Sequence, residues 1–107
     1  MLALMNPATS AAAVLPMTYP IQHDVDAQQF TATVEGQVSV LRYRLKDRVM
    51  TIVHTEVPPA LGGHGIAADL VRAALETARG NGWRVVAVCA YAKAFIERHP
   101  EYAGLLV

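Results

Sequence analysis

Alternating apolar and polar residues predict strands in the first half of the chain. Residues 29–34, QFTATV, and residues 38–45, VSVLRYRL, repeat with a period of two, which is typical of half-buried strands. Residues 49–57 are mostly apolar and β-branched, as in a central strand. The short links at 35–37 and 46–48 join these three strands into an antiparallel meander.

After Pro58 and Pro59 the spacing of apolar residues changes from two to three or four, which predicts an amphipathic helix over residues 65–79. Its apolar stripe consists of Ile66, Leu70, Ala74, Leu75 and Ala78. Its charged residues are Asp69, Arg72, Glu76 and Arg79. Their spacing lets them pair along the helix, and we expect them to form a solvated face.

The remaining pattern predicts a buried strand over 83–90, a short helix over 91–99 that ends before Pro100, and a last short strand within 101–107. The element order is therefore β-β-β-α-β-α. A helix between two strands makes a crossover, so the third and fourth predicted strands should run parallel. The fold class is α/β (α+β), an antiparallel meander followed by a parallel βαβ unit.

Length and charge narrow the function classes. A chain of 107 residues forms one domain, and its formal net charge is zero with a pI near 6.9. Such a balance argues against nucleic acid or a membrane surface as a partner. The single cysteine, Cys89, excludes an internal disulfide and fits a reducing, cytoplasmic setting. The four histidines lack the spacing of metal ligands, so we expect no metal site.

The first 17 residues are apolar and low in complexity. They lack the basic start of a signal peptide, and Pro7 interrupts their apolar run. We interpret residues 1–17 as a disordered leader and residues 18–107 as the folded domain.

Three glycines, Gly62, Gly63 and Gly65, lie between the third strand and the first helix. Loops of this kind bind phosphate, because free N–H groups at a helix start attract anions. A P-loop is excluded, since Ile66 and Ala67 stand where Lys and Ser or Thr are required. The segment 63–68 matches the dinucleotide pattern G-x-G-x-x-G/A, but the following strand lacks the necessary acidic residue.

Two longer segments, HTEVPPALGGHGIAADLVRAAL and VVAVCAYAKAFIERHPEY, resemble the small single-domain branch of the GNAT acetyltransferase superfamily. The resemblance covers roughly residues 28–106. It implies a minimal GNAT-like fold that takes acetyl-CoA as cosubstrate and transfers acetyl to an amine, with the acceptor unidentified. Gly62 stands where this family commonly has Arg, and His64 where a second basic residue is usual. Backbone contacts to the diphosphate would survive both changes.

The resemblance assigns candidate residues. Contacts to acetyl-CoA fall on Glu56, Val57, Pro58, Gly62, Gly63, His64, Gly65, Ile66, Ala67, Tyr91 and Lys93. Candidate catalytic residues are Cys89, as nucleophile or acid, Tyr91, as proton donor, and His54, as general base through water.

Alternatives stay open for these residues. Cys89 could instead pack as a small hydrophobe, and His54 could be structural. Glu56 to Pro58 could be a plain strand end. The whole domain could be a non-catalytic CoA-binding or protein-interaction module, and we expect a monomer or weak dimer.

Overall fold

The computed structural model describes residues 19–107, so the predicted leader over residues 1–17 lies outside the described residues. The strands are β1 (Gln22–Asp24), β2 (Gln29–Val34), β3 (Gln37–Lys46), β4 (Val49–Glu56) and β5 (Arg84–Ala87). The helices are α1 (Ile66–Asn81) and α2 (Ala90–Arg98), with 3-10 helices at Pro59–Leu61 and Pro100–Leu105. Within residues 19–107, neither α-helix has the length and apolar character needed to cross a membrane.

The five strands form one sheet in the order β1-β2-β3-β4-β5. Neighbours are antiparallel from β1 to β4, and β4 pairs with β5 in parallel. This confirms the predicted meander and crossover. The structure adds β1, which the sequence did not reveal because its three residues, QHD, are too short and polar to show a period.

The core lies between one face of the sheet and the two helices. The five apolar residues predicted for the stripe of α1 are all buried, which confirms that face of the helix. From α2, Phe95 and Ile96 pack into the same cluster as Leu41 and Ile52 of the sheet. Both helices therefore cover the same face of the sheet.

The predicted solvated face of α1 is wrong for Asp69, whereas Arg79 is exposed and pairs with Glu76 at 3.3 Å, as the spacing allows. Asp69 is only 6% exposed, and its carboxylate accepts the backbone N–H of Tyr19 at 3.1 Å. Glu76 accepts the hydroxyl of Tyr102 at 2.7 Å, and the Arg79 guanidinium lies 4.9 Å from the Tyr102 ring centroid. Tyr19, which precedes the first strand, and Tyr102, which follows α2, both pack against the sides of α1. Helical periodicity alone cannot show such contacts.

The C-terminal segment also differs from the prediction. Residues 100–105 form a 3-10 helix rather than a strand, and only Leu106 makes a parallel bridge, to Val85. The 3-10 turn lets Tyr102 become fully buried against α1, and this burial outweighs strand pairing for the segment.

We expect Tyr102→Phe to lower the free energy of unfolding by about 1 kcal/mol, because it removes one buried hydrogen bond and keeps the ring. Burial, followed by the bond to Glu76, raises the pKa of Tyr102 above its usual 10.0. The protonated hydroxyl is therefore the stabilising form, so the deficit of the variant should be constant below pH 10 and narrow above it. Chemical denaturation against pH measures this.

The matched control is Tyr91→Phe, since Tyr91 is 37% exposed. It should leave stability unchanged. An equal effect of both substitutions would contradict a role for the Tyr102–Glu76 bond.

Candidate functional site

The sheet opens where β4 and β5 separate. Their parallel register ends at Ile52 and Ala87. The backbone N–H groups of Val88 and Cys89 then both donate to the carbonyl oxygen of Ile52, each at 3.0 Å. Beyond this point β4 continues to Glu56 paired with β3, while the chain after β5 turns into α2. The observed strand β5 is therefore shorter than the strand predicted over 83–90, because the chain leaves the sheet after Ala87.

β4 also contains a bulge next to Ile52, the residue at which its pairing with β5 ends. The pairing of β3 with β4 shifts between Arg42 and Tyr43, so Val53 is an extra residue on β4. After the bulge, Thr55 lies opposite the buried Leu41 and His54 lies opposite the exposed Arg42. Because cross-strand partners share a face of the sheet, Thr55 faces the helices and His54 faces away from them.

The glycine loop begins α1 in a conformation that favours glycine. Gly63 and Gly65 have φ angles of 81° and 83°, in the left-handed region, and Gly65 is the N-cap of α1. The amide of Gly62 is used within the loop, donating to the carbonyl oxygen of Pro59 at 3.1 Å. The N–H groups of the first turn of α1 have no intrahelical acceptor, so they are available to an anion.

A cavity of about 330 Å³ lies where the loop, the end of β4 and the start of α2 meet. Most of the residues predicted to contact acetyl-CoA line it. They are Val57, Gly62, Gly63, Gly65, Ile66, Ala67 and Tyr91. The buried Leu61 also lines it; the sequence analysis missed this residue because a leucine between proline and glycine carries no functional signal.

Cys89 and Tyr91 lie near each other at the start of α2. Cys89 is the N-cap of this helix, is half-buried, and its Sγ lies 3.4 Å from the hydroxyl oxygen of Thr55. This contact spans the opening between β4 and the chain after β5. Thr55 was also missed from the sequence, because its orientation depends on the bulge at Val53.

Other predicted residues lie apart from this cluster. His54 donates or accepts a hydrogen bond with Glu56, Nε2 to Oε1 at 3.3 Å, and both side chains are exposed on the opposite face of the sheet. The exposed His64 lines a neighbouring cavity of about 180 Å³, and its carbonyl oxygen accepts the Tyr19 hydroxyl at 2.9 Å. Lys93 is exposed on α2.

Pro58 is half-buried and leads directly into the 3-10 helix. It therefore turns the chain from β4 into the loop. Among residues 19–107, no group of three His, Cys, Asp or Glu side chains could hold a metal ion.

Three features together define a class of protein. They are an antiparallel meander, a strand that separates from its parallel neighbour, and a glycine loop at the start of a helix on the same edge of the sheet. Residues 29–105 match the family model described as GCN5-related N-acetyl-transferase. The chain belongs to this family, within the GNAT superfamily, as its motifs predicted.

Individual relatives agree with this assignment. The chain is 35% identical to Protein NATD1 from Bos taurus over 83 residues, which cover 75% of this chain and 74% of that protein. It is 32% identical to Protein NATD1 from Gallus gallus over 83 residues, covering 75% and 76%. The NMR solution structure of a GCN5-like protein from Staphylococcus aureus superposes with a TM-score of 0.67 at 26% identity, covering 83% of this chain and 88% of that one.

We expect Gly65→Ala to lower the free energy of unfolding by about 1–2 kcal/mol, because alanine is strained in the left-handed conformation of this N-cap. Gly62→Ala is the matched control. Its φ of −63° is ordinary for any residue, and an added Cβ would meet only the Pro59 carbonyl oxygen at 3.4 Å. Thermal denaturation of both variants measures the difference, and equal effects would contradict a conformational role for Gly65.

Proposed function

We propose that this domain binds acetyl-CoA and transfers its acetyl group to an amine, as an N-acetyltransferase. The observation that carries this proposal is the opening between β4 and β5 beyond Ile52. A cavity lined by Val57, Tyr91 and the glycine loop lies beside this opening, and the backbone of Cys89 bonds to Ile52 where the opening begins.

The glycine loop supports diphosphate binding through the backbone. No side chain projects from Gly62, Gly63 or Gly65, so the diphosphate can approach the first-turn N–H groups of α1 closely. The positive end of the helix dipole adds to this attraction. A 16-residue helix is long enough to supply a full dipole at its start.

The open edge of β4 supports binding of the pantetheine arm. Residues of β4 beyond Ile52 have left β5, so an extended, amide-bearing chain can lie alongside them in the manner of an added strand. Val57 and Tyr91 line the path from this edge to the glycine loop. The thioester would then lie near Cys89.

Cys89 suits acetyl transfer in two steps. Its thiolate attacks the carbonyl carbon of the thioester, the bond between that carbon and the CoA sulfur breaks, and the CoA thiolate takes up a proton. A neutral amine then attacks the acetyl-Cys89 carbonyl, the new C–S bond breaks, and the proton of the amine returns to the Cys89 sulfur. Thr55 can donate its hydroxyl hydrogen to the thiolate, because the two heavy atoms lie within 3.4 Å.

Direct transfer is the competing route. Here the amine attacks the thioester itself, the bond between the carbonyl carbon and the CoA sulfur breaks, and the Cys89 thiol gives its proton to the departing CoA thiolate. The proton lost by the amine nitrogen then returns to the Cys89 sulfur. We assign His54 no step in either scheme, because its side chain lies on the opposite face from Thr55.

We expect Cys89→Ala to lower the rate of acetyl transfer by at least about 100-fold, with acetyl-CoA affinity within about twofold of the wild type. Thr55→Val should lower the rate at least about tenfold, because a hydrogen bond to a charged thiolate contributes about 1.5–3 kcal/mol. Thr55→Ser retains the hydroxyl and should behave as the wild type. Steady-state rates and calorimetric affinities measure these effects.

Intact mass spectrometry distinguishes the two routes. An acetyl adduct that forms on Cys89 and is consumed by amine supports the two-step route. A slow Cys89→Ala variant without any adduct in the wild type supports direct transfer. Full activity of Cys89→Ala would remove both roles from this residue.

A non-catalytic CoA-binding module is the second candidate, favoured by the absence of a basic side chain at Gly62. Calorimetric titration with acetyl-CoA decides the first step, since the absence of binding at millimolar ligand would contradict both candidates. Binding without transfer to any amine in a broad panel would favour the module.

We expect Gly62→Arg to tighten CoA binding about threefold to tenfold, because a guanidinium reaching a solvent-exposed diphosphate contributes roughly 1 kcal/mol. The extended backbone at Gly62 accepts a side chain without strain. Gly80→Arg is the matched control: it adds the same charge in the last turns of α1, where an added Cβ meets nothing within 4 Å. Calorimetry measures both, and equal tightening would indicate a non-specific charge effect.

A further inference from the structure

A second cavity, of about 400 Å³, lies at the other end of α1. Thr77 and Asn81, from the last turns of the helix, line it, whereas Ile66 and Ala67, from the first turn, line the glycine-loop cavity. A 16-residue helix is about 24 Å long. The two cavities share no lining residue, so a compound bound in the second cavity would not contact the proposed acetyl-transfer site.

Aromatic rings form much of the wall of this cavity. Trp83, the residue before β5, is half-buried, and Tyr43 of β3 is only 4% exposed. His23 stacks on the buried Phe30 with ring centroids 4.1 Å apart and an interplanar angle of 12°. Because these rings are held by packing in the core, the cavity presents a prearranged surface for a flat ring.

The polar atoms of the cavity are mostly acceptors. Burial lowers the pKa of His23 and raises that of Tyr43, so both are neutral at pH 7 and the phenol hydroxyl can donate to Nε2 at 2.5 Å. The Thr77 hydroxyl donates to the carbonyl oxygen of Ala73, and Asn81 Nδ2 donates to that of Thr77, each at 2.8 Å. The oxygens of Tyr43, Thr77 and Asn81 can still accept.

Two lining residues carry donors that complement these acceptors: Trp83, through its indole N–H, and Gln28. The side-chain oxygen of Gln28 accepts the backbone N–H of Leu45 at 2.9 Å, which leaves the Gln28 NH₂ group to donate. None of the residues lining this cavity carries a formal charge at pH 7. The nearby Arg48 guanidinium is already held by the carbonyl oxygens of Asn81 and Gly82, so no lining residue offers a charged ligand an ionic partner and the lining favours an uncharged one.

We propose that this cavity binds a small, uncharged aromatic compound whose ring carries an amide-like group with both an N–H donor and a carbonyl acceptor. The ring packs against Trp83 and Tyr43. The N–H group donates to the neighbouring side-chain oxygens of Asn81 and Thr77, and the carbonyl accepts from Gln28. The volume falls within the range of about 300–1,000 Å³ typical of small-molecule sites. This binding site is independent of the acetyl-transfer proposal.

Benzamide and benzoate test the proposal, because they match in size and differ in charge. Trp83 is the single tryptophan of the chain, so its indole N–H gives one NMR signal that reports on the cavity. In titrations of the full chain at pH 7 and constant ionic strength, benzamide should shift this signal and the backbone amide signals of Thr77 and Asn81 saturably. Benzoate should bind at least about tenfold more weakly.

Variants localise the binding. Asn81→Leu removes an acceptor at similar volume and should weaken benzamide binding at least about fivefold. Thr51→Val changes a side chain opposite the exposed Arg44, on the other face of the sheet, and should leave binding unchanged. If Asn81→Leu does not give a folded spectrum, Thr77→Val tests the same acceptor cluster.

Three results would overturn the proposal. They are the absence of a saturable Trp83 shift up to the solubility of benzamide, equal affinities for benzamide and benzoate, and undiminished binding to folded Asn81→Leu. Benzamide affinity should also be the same with and without saturating acetyl-CoA. A change there would mean that the two cavities are not independent.

Discussion

The site depends on one backbone acceptor, the carbonyl oxygen of Ile52. It receives the N–H groups of both Val88 and Cys89, and this double acceptance ends the parallel pairing of β4 with β5. Because the chain leaves the sheet at this point, α2 begins immediately, with Cys89 as its N-cap. The bulge at Val53 on the other side of β4 turns Thr55 toward Cys89. The opening, the thiol and its hydroxyl partner thus follow from the same few residues.

The glycine loop relies on the backbone rather than on side-chain charge. Two glycines in the left-handed conformation direct the chain into α1, and the first turn of that helix presents free N–H groups at the cavity. The family motif that the sequence resembles implies an arginine where this chain has Gly62. Without that side chain, an anion would be held by hydrogen bonds and the helix dipole, which are short-ranged. Close approach to the loop therefore matters more in this protein.

Helix α1 connects the parts of the domain. Its apolar stripe covers the sheet, while its charged residues hold the flanking segments: Asp69 accepts from Tyr19, and Glu76 accepts from Tyr102. Its first turn lines the cavity at the glycine loop, and its last turns line the cavity with aromatic walls. A single rigid element can in this way position two chemically different surfaces in a small domain.

The sequence by itself determined the elements and their order from β2 to α2, because each of them carries a local signal. Alternation identified β2, the three-to-four spacing identified the buried stripe of α1, and the glycines located the loop. Family motifs named Cys89 and Tyr91 as candidates for the chemistry.

Only the tertiary structure decided which side chains meet. The pairing of Cys89 with Thr55, and the separation of His54 from both, depend on a bulge that exists only when β3 and β4 are paired. The burial of Asp69 and Tyr102 likewise depends on segments distant in the chain. Local periodicity records which face of an element is apolar. It does not record register or long-range contacts, because those are set by the packing of the whole domain.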